Sequence, residues 1–303
     1  MYNAEDFLPL SEEEKSSAEV VRPSKTYWAD VWSRLKEDRL AIFGLAVIVV
    51  VILFAVLAPI LSRYEYDEMD FNFSNDPPTL THFFGCDMFG RDLFVRVAYG
   101  ARISLAVGFI ASFISLFIGV IYGGVSGYRG GKFDDVMMRI VDVIYSVPAM
   151  IYVILLMVVV GPGLKSIFIT LGISYWAGMA RIVRAEVMRL KNEEFVLAAR
   201  VLGASANRIL LRHLIPNAMG PILVTLTFSI PSAIFTESFL SFVGLGVSAP
   251  MASWGMLCSD SVGALPIYPW QLFFPAGAIS VTILAFNFLG DGLRDALDPR
   301  LRK

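Results

Sequence analysis

Six stretches of this chain carry almost no charge for 15 to 23 residues each, and those lengths decide the solvent in which it can fold. Residues 40–61, 103–122, 143–160, 166–180 and 269–289 contain no Asp, Glu, Lys or Arg, and 218–240 holds one acid, Glu237. A helix rises about 1.5 Å per residue, so about 20 residues cross a hydrocarbon core roughly 30 Å thick. The run at 166–180 is short, but Lys165 and Arg181 at its ends can snorkel and stretch it, and we read that crossing as 164–180. Only helices satisfy every backbone N–H and C=O within one lipid-embedded segment. The sequence therefore predicts an all-α membrane protein with six transmembrane helices. At 56% hydrophobic and 17% charged residues, a water-soluble globule is excluded, because that much apolar surface cannot be hidden within 303 residues.

Six crossings place 1–39, 123–142, 181–217 and 290–303 on one side, and these segments hold 20 of the 25 Lys and Arg. Arg63, Arg91, Arg96, Arg102 and Lys165 are left for the other side. The positive-inside rule then predicts both termini in the cytoplasm. The tail at 1–39 is acidic at Glu12, Glu13 and Glu14 and basic near the membrane, unlike a cleavable signal. Trp28 and Trp32, one helical turn apart, read as an interfacial anchor. Two external segments are long, 62–102 and 241–268. The second is apolar for a loop and fits either a re-entrant element over a pore mouth or a static interfacial cap.

The largest cytoplasmic connection, 181–217, reads as a helix at 193–202 with Phe195, Val196, Ala199 and Leu202 on one face. Gly203 stops it, Ser205 caps a second helix at 207–215, and Pro216 closes that one. A helix–Gly–helix of this size is the shape of an element that enters a groove on a partner protein. Gly119, Gly123 and Gly127 have the spacing that lets two helices approach closely, either within the fold or at a subunit or gate contact. Glu237 is costly inside a membrane and is a candidate for the translocation path or gate, together with Asn287; the alternative is an acid snorkelling at the interface. Asp142 reads as an i,i+3 partner of Arg139.

Several chemistries drop out. A net charge of −2 offers no field for nucleic acid. Gly131-Lys132 resembles the end of a phosphate loop, but Ser126 and Phe133 stand where Gly and Ser/Thr are required. His82 is read as external and His213 as cytoplasmic, so they share no metal or dyad. No catalytic, cofactor-binding or metal residue is expected. An intramembrane hydrolase would need a nucleophile and base at one depth, and a proton-coupled carrier a chain of titratable groups; neither pattern is present. Cys86 and Cys258 both fall in external segments, where a disulfide is geometrically feasible.

Four ordered motifs then become specific. The run 194–205 reads Glu-Phe-Val-Leu-Ala-Ala-Arg-Val-Leu-Gly-Ala-Ser and continues to His213-Leu214-Ile215-Pro216-Asn217. It resembles the EAA loop of ABC importer permeases. Phe-Gly-Cys-Asp-Met-Phe-Gly-Arg-Asp at 84–92, Glu-Ser-Phe-Leu-Ser-Phe-Val-Gly-Leu-Gly at 237–246 and Gly-Asp-Gly-Leu-Arg-Asp-Ala-Leu-Asp-Pro at 290–299 resemble the dipeptide/oligopeptide branch, closest to its C-type subunit. The resemblance implies a type I ABC importer permease core in a prokaryotic plasma membrane. It also implies a second homologous permease, two ATP-binding subunits that hold ATP and Mg²⁺ and hydrolyse the nucleotide, and an external substrate-binding protein. Glu193, Glu194, Ala198, Ala199, Gly203 and Pro216 would form the ATPase-coupling element, and Asp87, Arg91 and Asp92 would dock the external partner. Leu197 departs from the family, which has an acid there. The implied cargo is an oligopeptide or dipeptide; relatives in the branch also carry nickel chelates or opines.

Overall fold

The computed structural model describes residues 26–161, 163–247 and 250–298, with all side chains but those of 149 and 150. Glu12, Glu13 and Glu14 of the acidic tail, and Pro299 of the last motif, lie outside the described residues. The elements are α1 (Tyr27–Glu37), α2 (Arg39–Leu61), α3 (Leu93–Arg129), α4 (Gly131–Ser146), α5 (Ala149–Val160), α6 (Leu164–Leu190), α7 (Glu194–Val201), α8 (Ala206–Ile209), α9 (Met219–Phe242), α10 (Trp254–Ser261) and α11 (Trp270–Leu297). No strand accompanies them among the described residues. Five helices, α2, α3, α6, α9 and α11, are long and apolar enough to span a bilayer alone.

The boundaries differ from the sequence reading where backbone chemistry overrides hydropathy. The second crossing, predicted at 103–122, is the middle of a 37-residue helix that starts at Leu93, because Asp92 accepts the Val95 N–H at 2.9 Å and caps it. At about 55 Å it outruns the hydrocarbon core. The third, predicted as one span at 143–160, is broken: α4 and α5 meet at 86°. Pro148 lacks an N–H and forces Val147 into extended backbone, φ −90° and ψ 123°, which ends α4. The fourth continues well past 180 to Leu190.

The glycine stripe is spent on packing inside the fold. A Cβ on Gly119 would lie 2.5 Å from Met179 Cβ, one on Gly127 2.7 Å from the Arg184 carbonyl oxygen, and one on Gly123 would overlap the Ala180 carbonyl. With no side chains in the way, α3 and α6 close against each other along that seam. Two ion pairs then tie α4 to α6. Arg184 Nε donates to Asp134 Oδ1 at 2.6 Å, its Nη2 donates to Oδ2, and Ser126 donates to the same carboxylate. Arg181 Nη2 donates to Asp142 Oδ1 at 2.7 Å, so the partner of Asp142 is Arg181 rather than the predicted Arg139: a neighbouring helix sits closer than the next turn.

The end of the molecule bearing α1, α7, α8 and the last turn of α11 holds most of the cations, and we call it the basic end. There Val31 and Leu35 of α1 pack against Ala296 and Leu297, leaving Trp28 and Trp32 exposed. The opposite end is sealed by the two long segments. Trp254 of α10 is fully buried, donates from Nε1 to the Val97 carbonyl at 2.9 Å and sits against Gly100. Gln271 Nε2 donates to Asn75 Oδ1 at 2.9 Å and to the Cys86 carbonyl at 3.0 Å, stapling the 62–92 segment to α11.

Candidate functional site

At the basic end the chain leaves α6 and turns back through α7. Lys191 Nζ donates to the Gly127 carbonyl at 3.0 Å, which fixes the start of the turn to α3. Val196 and Ala199, three residues apart on one face, are buried against Val187, Leu190 and Leu214. Gly203, φ +79°, ends the helix: its N–H donates to the Arg200 carbonyl at 2.9 Å and the Ala204 N–H to Ala199 at 3.0 Å, the two bonds of a Schellman cap. Ser205 caps the next turn, accepting from the Arg208 N–H at 3.4 Å. Pro216 does not close a helix, contrary to the sequence reading. The chain widens into a π-helical turn at Leu210–Leu214, which absorbs the missing proline N–H, and runs through Ile215–Asn217 into α9.

Anchoring one face of α7 leaves its tip uncovered. Val201 and Leu202 are 87% and 86% exposed, with Leu197 about half exposed beside them. The predicted coupling residues divide accordingly. Ala199 seats the helix on the body, whereas Ala198, Gly203, Glu193, Glu194 and Pro216 are exposed. Glu193 Oε1 lies 3.8 Å from Arg189 Nη1, a solvent-exposed contact of little energy.

A cavity of about 660 Å³ opens between the α4–α5 elbow, α6, α9 and the last turn of α11. Thr225, Ser229 and Ser232 line it along one side of α9, with Ser174, Tyr152 and Tyr175 opposite. Each α9 hydroxyl donates to the carbonyl four residues back, at 2.8 Å for Thr225, 2.7 Å for Ser229 and 2.8 Å for Ser232. That is how hydroxyls are accommodated at membrane depth while keeping oxygen lone pairs outward. Thr236 extends the stripe and meets the Tyr175 hydroxyl at 2.9 Å. Among the described residues, Arg294 is the one charged side chain in the wall.

Neither predicted path residue lies there. Glu237 is wholly buried on another side of α9, receiving Ser104 Oγ at 2.9 Å, Ser241 Oγ at 2.8 Å and Ser238 Oγ at 3.4 Å. Ser104 Oγ also accepts the Trp254 N–H at 3.4 Å, so the cluster joins α3, α9 and α10. Asn287 is half-buried on α11 and absent from the wall. The hydroxyl stripe carries no charge and so stands out less than Glu237 in an apolar run, yet its 4-3-4 spacing from 225 to 236 is a helical period readable in the sequence.

The predicted docking trio is also internal. Asp87, Arg91 and Asp92 are buried. Arg91 Nε donates to Asp87 Oδ2 at 2.6 Å, Arg96 approaches the same oxygen at 3.6 Å, and Asp92 Oδ2 lies 2.8 Å from His82 Nδ1 while its other oxygen caps α3. These charges fold the segment onto α3. Cys86 and Cys258 are both free thiols rather than a disulfide. Burial, reinforced by Asp92 and Asp76, pushes Cys86 up to about 12, and burial pushes Cys258 up to about 11.

Residues 115–303 match the family described as binding-protein-dependent transport system inner membrane component, and residues 26–78 match the N-terminal TM domain of oligopeptide transport permease C. The chain is 51% identical to the oligopeptide transport system permease protein OppC of Bacillus subtilis, covering 98% of this chain and 97% of that one. It is 50% identical to the dipeptide transport system permease protein DppC of the same organism, over 99% and 94%. To OppC of Escherichia coli K12 it is 45% identical, over 92% and 93%. Among solved structures, the MetNI methionine ABC transporter in inward-facing conformations aligns with a TM-score of 0.57 at 19% identity, over 68% of this chain and 98% of that one, which is a likeness of fold.

Proposed function

The chain belongs to the family of binding-protein-dependent transport system inner membrane components, and on that premise we propose that it forms half of the translocation path of an ATP-driven importer of oligopeptides or dipeptides. The other half is a second, related permease. Two ATP-binding subunits, which hold ATP and Mg²⁺ and perform the hydrolysis, seat at the basic end, and an external substrate-binding protein delivers cargo to the opposite end. Both termini then face the cytoplasm of a prokaryotic cell, in keeping with 20 of 25 cations on that side. The peptide assignment rests on relatives near 50% identity that are named for oligopeptides and dipeptides.

The observation that carries this reading is the bare apolar tip of α7, Val201 and Leu202, held rigidly by a buried face. An exposed hydrophobic end on a fixed helix is a plug for a groove on another protein. The route inward is continuous: α7 packs on α6, and α6 holds α4 through Arg184–Asp134 and Arg181–Asp142. The end of α4, at Ile144 and Tyr145, is wall of the hydroxyl-lined cavity. A push on α7 when the ATPases close would therefore tilt α6 and move the elbow, closing the cavity to one side and opening it to the other.

Reconstituted vesicles test the proposal. The full assembly should import a labelled peptide only with ATP and the external binding protein, and a cysteine placed by Leu202→Cys should react with a membrane-impermeant maleimide only from the ATPase side. Flux through the permease pair without ATP would make this a channel or carrier instead, and labelling of Leu202→Cys from the other side would invert the topology.

A further inference from the structure

The cavity wall has an unequal chemistry that points to the part of the cargo it holds. Most of its hydroxyls have spent their protons: Ser174 donates to the Thr170 carbonyl at 2.8 Å, Tyr152 to Ile144 at 3.1 Å, and Thr225, Ser229 and Ser232 to their own helix, which leaves the Tyr145 hydroxyl as a donor beside them. Facing the cavity, these groups are acceptors. A wall of acceptors suits peptide N–H groups and repels an anion. The charged exception is Arg294, an exposed side chain in the last turn of α11. Its guanidinium has no ion pair or hydrogen bond among the described residues, although Asp291 and Asp298 lie within one turn along α11. Arg181 on α6 is already paired with Asp142 and lies 4.2 Å from the centre of the Tyr145 ring.

Resting on the path reading above, we infer that Arg294 is a carboxylate anchor, the group that receives the free C-terminal carboxylate of a peptide while the seryl and threonyl oxygens accept its N–H groups. A planar fork of donors matches a carboxylate in two parallel bonds, which Lys cannot reproduce. The substrate class is then the peptide with a free α-carboxylate. A lipid phosphate at the same depth offers similar oxygens, and the experiment separates the two.

The assay uses the complete assembly in vesicles at saturating binding protein, with tetra-alanine and tetra-alanine amide as probes. Arg294→Gln should slow the free acid about tenfold, the worth of one charge-assisted hydrogen bond, and leave the amide unchanged; Arg294→Lys should fall between. Equal slowing of both peptides, or of neither, overturns the anchor. So does slowing that follows the anionic-lipid content of the vesicle rather than the peptide terminus, since that is the mark of a lipid phosphate. A photoreactive tetra-alanine separates this from failure of the path itself. If it labels the Ser229–Ser232 face during turnover while Arg294→Gln leaves acid and amide alike, the anchor alone is wrong. Absence of label from that face removes the path and the anchor together.

Discussion

Replacing Val201 and Leu202 together by Ser isolates what the α7 tip does, because the structure gives both residues almost nothing to touch. At 87% and 86% exposure, truncating them removes little internal contact, so the stability of the folded permease should change by no more than about 0.5 kcal/mol. Covered by a partner, each aliphatic side chain would be worth about 1.5–3 kcal/mol of burial. Nearly the whole side chain is available for that transfer. Taking the low end for both gives about 3 kcal/mol, or roughly 150-fold in affinity. The assay is association of the purified permease pair with its ATP-binding subunits, read as a dissociation constant, alongside peptide-stimulated ATP hydrolysis. The double variant should assemble some hundredfold more weakly and, at concentrations that restore assembly, hydrolyse ATP with poorer coupling to import. If it binds with wild-type affinity and imports normally, the apolar tip is not the contact, and the coupling element must be sought in the charged residues around it.

Gly203→Val puts a β-branched residue at φ +79°, which should cost about 2 kcal/mol or more locally, fray the end of α7 and uncouple ATP hydrolysis from import in an assembly that still forms, whereas Gly203→Asn should behave almost as wild type; normal import by the Val variant counts against the cap. Glu237 is met by hydroxyl donors and by no cation among the described residues, so Glu237→Gln should retain import within about threefold, while Glu237→Leu should lower the thermal midpoint by stranding buried hydroxyls; loss of transport in a stable Gln variant would mean that the charge itself is used. With Cys86 raised to about 12 and Cys258 to about 11, both remain thiols across neutral pH, so maleimide labelling of the folded protein should be slow at pH 7, climb as pH is raised, and jump on unfolding; rapid labelling at pH 7, or a reducible mobility shift, would contradict the burial.

The spans were readable because lipid imposes a length and forbids charge, and that constraint is local to each run. The break in the third span was readable too, in Pro148, but hydropathy summed over 143–160 concealed it. What the sequence could not convey is which polar groups face one another. Asp87, Arg91 and Asp92 lie in a segment rich in turn residues, where charges default to solvent; only the fold brings His82 and Arg96 to them and makes them interior. The one local clue was Asp92 standing directly before a long apolar helix, the position of an N-cap. Glu237 carries half of its explanation nearby, in Ser238 and Ser241, and half 133 residues away in Ser104. The cavity is assembled from α4, α5, α6, α9 and α11, so no window of sequence contains it, although the Ser/Thr period on α9 marks one wall.

Three prolines inside spanning helices show how stiffness is distributed, and the distribution fits a machine that bends at its basic half. Each proline frees the carbonyl four residues earlier. Pro59 frees Ala55, whose oxygen is taken by Arg102 Nε at 2.6 Å from α3, with Nη2 on Val56 at 3.0 Å. Pro275 frees Gln271, whose oxygen is taken by Ser261 Oγ at 3.0 Å from α10. Both repairs cross between elements, so they lock the end opposite α7. Pro231 frees Thr227 in the middle of α9, and among the described residues no side chain from another helix reaches that oxygen. An unrepaired proline site flanked by Ser229 and Ser232 of the cavity wall is where α9 can flex with the least loss of bonding. Hydrogen exchange should therefore be faster at 227–231 than at 55–59 in the resting assembly, and slow further at 227–231 when the ATPases are trapped closed. Equal protection of the two sites in both states would place the bend elsewhere.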